Sequence, residues 1–157
     1  MRNPSRTLVR ILVVDDHEPF RRFLHLKLQQ RPELQIVGEA SDGLEGVQKA
    51  KDLQPDLILL DIGLPRLNGI EAAHRIMKFF PNANILFISQ ENDAAVIAEA
   101  IGNGAKGFVR KLNVNRELLP AIEAVLREEH ITSTAVTQRE SASSVLSSAG
   151  GDNTISG

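Results

Sequence analysis

Asp56-Leu57-Ile58-Leu59-Leu60-Asp61-Ile62-Gly63-Leu64-Pro65 is the stretch on which the fold turns. Four consecutive aliphatic residues run into an aspartate, and a Gly/Pro turn follows. A run that apolar and that short reads as a strand buried on both faces, as in a parallel sheet. Such a strand delivers its last residue to the carboxyl edge of the sheet, where open α/β folds place their chemistry. Asp61 is then either a carboxylate presented at a reactive edge or the first residue of a turn, a position Asp often takes.

Outward from that strand the pattern repeats. Val9 to Val14 is a second apolar run, ending in Asp15-Asp16. Pro19 to Gln30 carries apolar residues at 20, 23, 24 and 28, a helical spacing; Asp16 or His17 is placed to cap it, and Pro19 suits a first helical turn. Leu34 to Glu39 reads as a strand, and Asp42 to Leu53 as a helix with Leu44, Val47 and Ala50 inward. On the other side, Ile70, Ala73, Met77 and Phe80 space a helix that Pro81 ends. Asn84 to Ile88 is a strand running into Ser89. Asn92 or Asp93 caps a helix with Val96, Ile97, Ala100 and Ile101, stopped by Gly102 and Gly104. Lys106 to Arg110 is a strand ending in Lys111, and Val114 to Glu129 is a helix built on Leu118, Ile122 and Val125, with Leu119 and Leu126 on its flank. Five strands alternating with five helices predict an α/β fold, a parallel sheet with right-handed crossovers and helices on both faces. From about residue 131 to Gly157 the chain is rich in Ser, Thr, Gly and Ala, and is expected to be a disordered tail or linker after a domain spanning 8–130.

Composition narrows the function. A formal net charge of −2 gives no global positive field for nucleic acid or anionic membrane. The chain has no Cys, which removes thiol nucleophiles and thiolate metal sites and fits a reducing compartment. No apolar run approaches the roughly 20 residues of a membrane span. No apolar segment follows the arginines of residues 1–10, so a secretory signal is not expected and the cytoplasm is the default location.

The residues that end the strands carry the chemistry. If the strand order is the flavodoxin-like 2-1-3-4-5, the topological switch lies between strands one and three, and Asp15, Asp16 and Asp61 converge at one crevice. Three carboxylates so close imply a cation. The donors are all oxygen, which is hard-cation chemistry, and Mg²⁺ is the natural candidate. Lys111 adds an ammonium and Ser89 a hydroxyl. That set suits phosphoryl transfer, with metal and ammonium neutralising the equatorial oxygens and the carboxylate as nucleophile.

The stretches Ile11 to His17, Pro55 to Pro65, Gly69-Ile70-Glu71, Ile88-Ser89 and Gly104 to Lys111, in that order and each at or beside a strand end, resemble the receiver domain of two-component response regulators over roughly residues 8–128. The resemblance implies a five-stranded, doubly wound (βα)5 fold. It implies that Asp61 is the phosphoacceptor and that a sensor histidine kinase or phosphotransfer protein supplies the phosphoryl group, the domain being a signalling phosphoacceptor rather than an enzyme. It implies Mg²⁺ bound by Asp15 and Asp16, one of them through water, with Asp61 and the Gly63 carbonyl as further ligands. Ser89 would bond the phosphoryl oxygen and Lys111 pair with it. Phe108 stands where the family keeps a switch aromatic, so phosphorylation is expected to reshape the face made by the fourth helix, fifth strand and fifth helix, and to favour a homodimer through it. The absence of Pro after Lys111 is similar to the NarL/LuxR-type subfamily. Two positions depart from the family pattern: Gln90 stands where a small residue is usual, and Gly63 offers no side chain to place or block a water. With Glu91 they are expected to tune the lifetime of the phosphate.

Other classes fit less well. An Asp-nucleophile phosphatase wants a second acid two residues past Asp61, where Gly63 stands. A P-loop wants Gly-x-x-x-x-Gly-Lys after the first strand, where Asp15-Asp16-His17-Glu18 stands. A flavodoxin-like carrier wants a phosphate-cradling loop in the same place. Two alternatives stay open: the receiver portion of a truncated DNA-binding regulator, and a receiver-shaped interaction module that takes no phosphate. Val136 to Glu140 resembles the start of a helix-turn-helix domain, but no basic recognition helix follows, so direct nucleic-acid binding is not expected. His17, His25, His74 and His130 share no metal spacing. His17 is expected to cap the first helix or to influence donor or metal binding, and His25, Arg21 and Arg22 to lie on a solvated face, the arginines alternatively meeting an acidic patch on a partner.

Overall fold

The structure, a computed structural model, describes residues 8–131, with side chains to Arg127. The tail expected after residue 131, with the Val136 to Glu140 stretch and the side chains of Glu129 and His130, lies outside the described residues.

 Within them the chain divides into a unit ending at Ile122 and a second unit from Glu123. The second is represented by the last turns of the final helix.

The element order is β1 (Val9–Val14), α1 (Glu18–Leu28), β2 (Leu34–Ala40), α2 (Gly43–Leu53), β3 (Leu57–Leu60), α3 (Gly69–Phe79), β4 (Ile85–Ser89), α4 (Ala94–Gly102), β5 (Gly107–Arg110) and α5 (Val114–Ile131). The strands form one parallel sheet in the order β2-β1-β3-β4-β5. This is the doubly wound, flavodoxin-like arrangement that the alternation of elements predicts. The apolar runs Ile11–Val14, Leu57–Leu60 and Ile85–Ile88 are all buried, because β1, β3 and β4 are covered on both faces. Each such side chain contributes roughly 1.5–3 kcal/mol by leaving water, so the three central strands form the rigid platform of the domain.

Register sets where the strand ends fall. Val14 pairs with Leu60, so β1 and β3 finish level. The ladder then runs one residue further: the Asp61 N–H donates to the Val14 carbonyl and the Asp15 N–H to the Ala40 carbonyl, both at 3.0 Å. The two aspartates are therefore fixed by sheet hydrogen bonds, while their side chains stand at its edge.

Helix starts follow their expected chemistry in three cases. Asp42 accepts from the Glu45 N–H, Asn68 from Glu71 and Asp93 from Ala95, each cap worth about 0.5–2 kcal/mol. His17 is the exception. It occupies the N-cap position of α1, but its side chain makes no capping bond. Leu44 also departs from expectation, being 37% exposed. Ala50 is buried and Val47 packs against the core as expected, but Gly43 and Gly46 take the place of Leu44 on the inward face of α2. A Cβ on Gly46 would lie 2.8 Å from Val14 Cγ1, so α2 approaches β1 too closely for a side chain there. In α4 only Ala100 is fully buried, and Ile101 is 37% exposed, so its apolar face is less covered than its sequence suggests. Lys111 opens a 3-10 turn, Lys111–Asn113, between β5 and α5.

Candidate functional site

Asp15, at the end of β1, and Asp61, at the end of β3, are both buried, whereas Asp16 is exposed. One carboxylate oxygen from each of the three lies within 4.8 Å of the others. Lys111 reaches the same point from beyond β5. Its Nζ is 2.7 Å from Asp15 Oδ2 and 3.5 Å from Asp61 Oδ2. The other Asp15 oxygen accepts the His17 N–H at 2.8 Å, so His17 serves the site through its backbone. Asp61 Oδ1 accepts a long bond, 3.3 Å, from the Gly63 N–H. Ser89, buried at the end of β4, accepts the Glu91 N–H on its Oγ at 3.1 Å, and its hydroxyl favours the ionised Asp61 carboxylate.

Burial pushes the Asp61 carboxyl above the usual range, and the Asp15 carboxylate adds to the rise; Lys111, Ser89 and the Gly63 N–H oppose it without cancelling it. The site is therefore short of positive charge: one ammonium faces three acids. An oxygen-only donor set with a charge deficit fits a hard divalent cation. Above it opens a cleft of about 520 Å³, lined also by His17, Gly63, Gln90 and Glu91. A Cβ at Gly63 would meet nothing within 4 Å, so the floor beside Asp61 is open.

The structure thus gathers Asp15, Asp16, Asp61, Ser89 and Lys111 at one point and places Gly63, Gln90 and Glu91 on the cleft wall. Phe108 stands apart from them on β5, paired with Phe87 and half-buried against the core. Arg21 is not on a solvated face, whereas His25 is solvated but paired. Arg21 bonds Glu39 at 2.7 Å and the Asp15 carbonyl at 2.6 Å, and His25 pairs with the same Glu39. Together they tie α1 to β2 beside the acid pair Asp15-Asp16. Arg22 is the exposed member of that group. The sequence reading also missed Phe20, whose ring lies against the Lys111 ammonium. Its only sequence signal is its place in the first turn of α1, four residues after Asp16.

Residues 11–123 match the response regulator receiver domain. The chain belongs to that family. Receiver domains are the phosphoacceptor domains of two-component signalling; they bind Mg²⁺ at an acidic pocket and interact with histidine kinases or phosphotransfer proteins. This receiver domain is 46% identical over 105 residues to the protein-glutamate methylesterase/protein-glutamine glutaminase of Thermotoga maritima, covering 66% of the chain but 30% of that relative. It is 41% identical over 102 residues to the chemotaxis protein CheY of the same organism, covering 65% of the chain and 84% of CheY. Among solved structures, a LuxR-family two-component response regulator from Aurantimonas superposes with a TM-score of 0.74 at 34% identity, over 77% of this chain and 86% of that one. The chain therefore spans less than a third of the first relative and most of the second.

Proposed function

We propose that Asp61 is the phosphoacceptor of this receiver domain and that the donor is a phosphohistidine on a sensor histidine kinase or phosphotransfer protein. An Asp61 carboxylate oxygen attacks the phosphorus in line. The O–P bond forms as the P–N bond breaks, and the electron pair stays on the imidazole nitrogen, which takes up a proton from solvent. Asp15, Asp16, Asp61 and the Gly63 carbonyl would hold Mg²⁺, which supplies charge neutralisation on the transferring group. Lys111 pairs with a phosphoryl oxygen, and Ser89 donates its hydroxyl to another. The observation that carries this reading is the Lys111 ammonium, 2.7 Å from Asp15 and 3.5 Å from Asp61, at the base of an open cleft.

The same residues outline the response. When Ser89 turns toward the phosphoryl group, its oxygen gives up the Glu91 N–H. Phe108, in register with Phe87 on the neighbouring strand, rotates into the space released, and the face of α4, β5 and α5 changes shape, favouring a homodimer. Gly63, Gln90 and Glu91 set how readily water reaches the phosphoryl group. In this reading residues 8–130 are the receiver, 131–157 are a tail, and the domain acts in the cytoplasm without binding nucleic acid itself. Among the described residues no helix is long and apolar enough to cross a membrane.

Intact mass after exposure to phosphoramidate tests the assignment. The parent chain with Mg²⁺ gains one phosphoryl group; Asp61→Asn, and the parent with a chelator, gain none. Stoichiometric labelling of Asp61→Asn would overturn it. Sedimentation with and without beryllofluoride tests the dimer.

A further inference from the structure

The Lys111 ammonium has a third neighbour besides its two carboxylates. Its Nζ lies 4.5 Å from the centroid of the Phe20 ring. Phe20 sits in the first turn of α1, and its ring stacks on Phe23 with centroids 5.9 Å apart and planes at 25°. The ring is therefore held in place by a neighbour on its own helix. The Lys111 side chain is only 13% exposed, so little water competes for the ammonium. Lys111 begins a 3-10 turn beyond the edge strand β5, and its stem must cross toward β1 and β3 to reach the acids. Phe20 and Lys111 both line a second cleft of about 420 Å³, together with His17, Gln90 and Leu112, so the ring is not simply part of the core.

We propose that Phe20 is a positioning residue for phosphoryl transfer: its ring face holds the Lys111 ammonium, and so fixes the place where a phosphoryl oxygen is met. The inference rests on the reading of Asp61 and Lys111 above. The attraction is electrostatic, between the cation and the negative face of the ring, and it is strongest where water is excluded. An ammonium held by carboxylates alone would follow Asp15, its nearer partner. The ring keeps it within reach of Asp61 as the acceptor gains its phosphoryl group.

Phe20→Leu keeps an apolar side chain and removes the ring; Phe20→Tyr keeps the ring. With Mg²⁺ and phosphoramidate, Phe20→Leu is expected to slow phosphorylation and weaken beryllofluoride binding by about 3-fold to 30-fold, and Phe20→Tyr to restore both. Proton NMR of the parent supplies a readout independent of activity and of any variant's folding. The Lys111 ε-methylene protons should resonate upfield of the other lysines through the ring current, and the displacement should vanish in Phe20→Leu. No upfield displacement in the parent overturns the proposal, as does a Leu variant with the parent's rate, or equal slowing by Leu and Tyr. Asp61→Asn run beside them separates the two ideas: labelling of that variant defeats the phosphoacceptor reading, whereas a parent labelled only on Asp61 with an unaffected Leu variant defeats the role of Phe20 alone.

Discussion

Replacing Gly69 with alanine would press directly on the backbone that carries Asp61. Gly69 is the first residue of α3, and its N–H donates to the Ile62 carbonyl at 2.7 Å. A Cβ built on it would lie 2.0 Å from the Asp61 carbonyl oxygen, 2.8 Å from the Asp61 carbonyl carbon and 2.8 Å from Ile62 Cα. All three are main-chain atoms, so none can rotate out of the way. Since real contacts of this kind begin near 3.0 Å, the 2.0 Å gap must open by about 1 Å. Either α3 retreats and strains its bond to Ile62, or Asp61 is displaced. Overpacking of this sort costs about 1–3 kcal/mol, and alanine's better helix propensity returns at most about 1 kcal/mol. The expected net loss of about 1–2 kcal/mol lowers the melting temperature by roughly 3–10 °C. A shift of about 1 Å in a reacting group costs up to 10²-fold in rate, so phosphorylation should slow by roughly 10-fold to 100-fold. The measurements are a thermal melt and the rate of mass gain with phosphoramidate and Mg²⁺. Gly63→Ala is the control, because its Cβ enters open space and its stability should stay within about 0.5 kcal/mol of the parent. A Gly69→Ala chain that melts and phosphorylates like the parent would refute the claim that this close approach holds the acceptor in place.

Three further outcomes follow from the same geometry. Burial, reinforced by Asp15, raises the Asp61 carboxyl, so the folded state holds that proton more tightly than the unfolded state; stability then falls as pH rises from near 3.9, roughly the unfolded value, through the folded value. Asp61→Asn stays neutral and should be more stable than the parent at about pH 7, the advantage disappearing below about pH 4; urea melts at both pH values check this, and a parent as stable as the variant at neutral pH contradicts it. Mg²⁺ at a hundredfold excess over its dissociation constant should stabilise the parent by about 2.7 kcal/mol and leave the Asp15→Asn/Asp61→Asn double variant unchanged; calorimetry showing no shift in the parent would remove the metal from the site. Ser89→Ala should still take phosphate on Asp61 but lose the movement of Phe108, and an undiminished change in the Phe108 ring resonances on phosphorylation would show that the hydroxyl does not carry the signal.

The parts of this site that were legible in the sequence share one property. Asp15, Asp61 and Ser89 each end a continuous apolar run, and a strand buried on both faces has a sharp end because its first polar residue marks the edge of the core. Once the topology is fixed, those ends lie side by side. What stayed hidden depends on close approach or on partners far apart in the chain. Leu44 looks like the inward residue of α2, yet Gly43 and Gly46 take that face, and a glycine that lets a helix settle on Val14 carries no hydrophobic signal. Arg21 reads as a surface charge because its partners, Glu39 and the Asp15 carbonyl, are invisible to a periodicity count. Phe20 reads as one apolar residue of a helix, and only the fold brings it to Lys111.

The charge balance explains why the signal should leave through β4 and β5. Asp15, Asp16 and Asp61 against Lys111 leave the site two charges negative when all are ionised, and a divalent cation would bring it to neutrality. Phosphorylation removes the Asp61 charge but adds close to two negative charges on the phosphoryl group. The site is then about one charge more negative than with the cation alone. Asp15 and Asp61 cannot relax, because their backbone N–H groups belong to the sheet ladder. Compensation has to come from side chains outside those two strands: the Lys111 ammonium, which the Phe20 ring keeps within reach of Asp61, and the Ser89 hydroxyl, at the end of β4, which accepts the Glu91 N–H. Both lie on the side of the sheet that carries Phe108. In the proposed function the β1 and β3 half of the site binds and the β4 and β5 half responds, so the direction of the response follows from which strand ends are anchored.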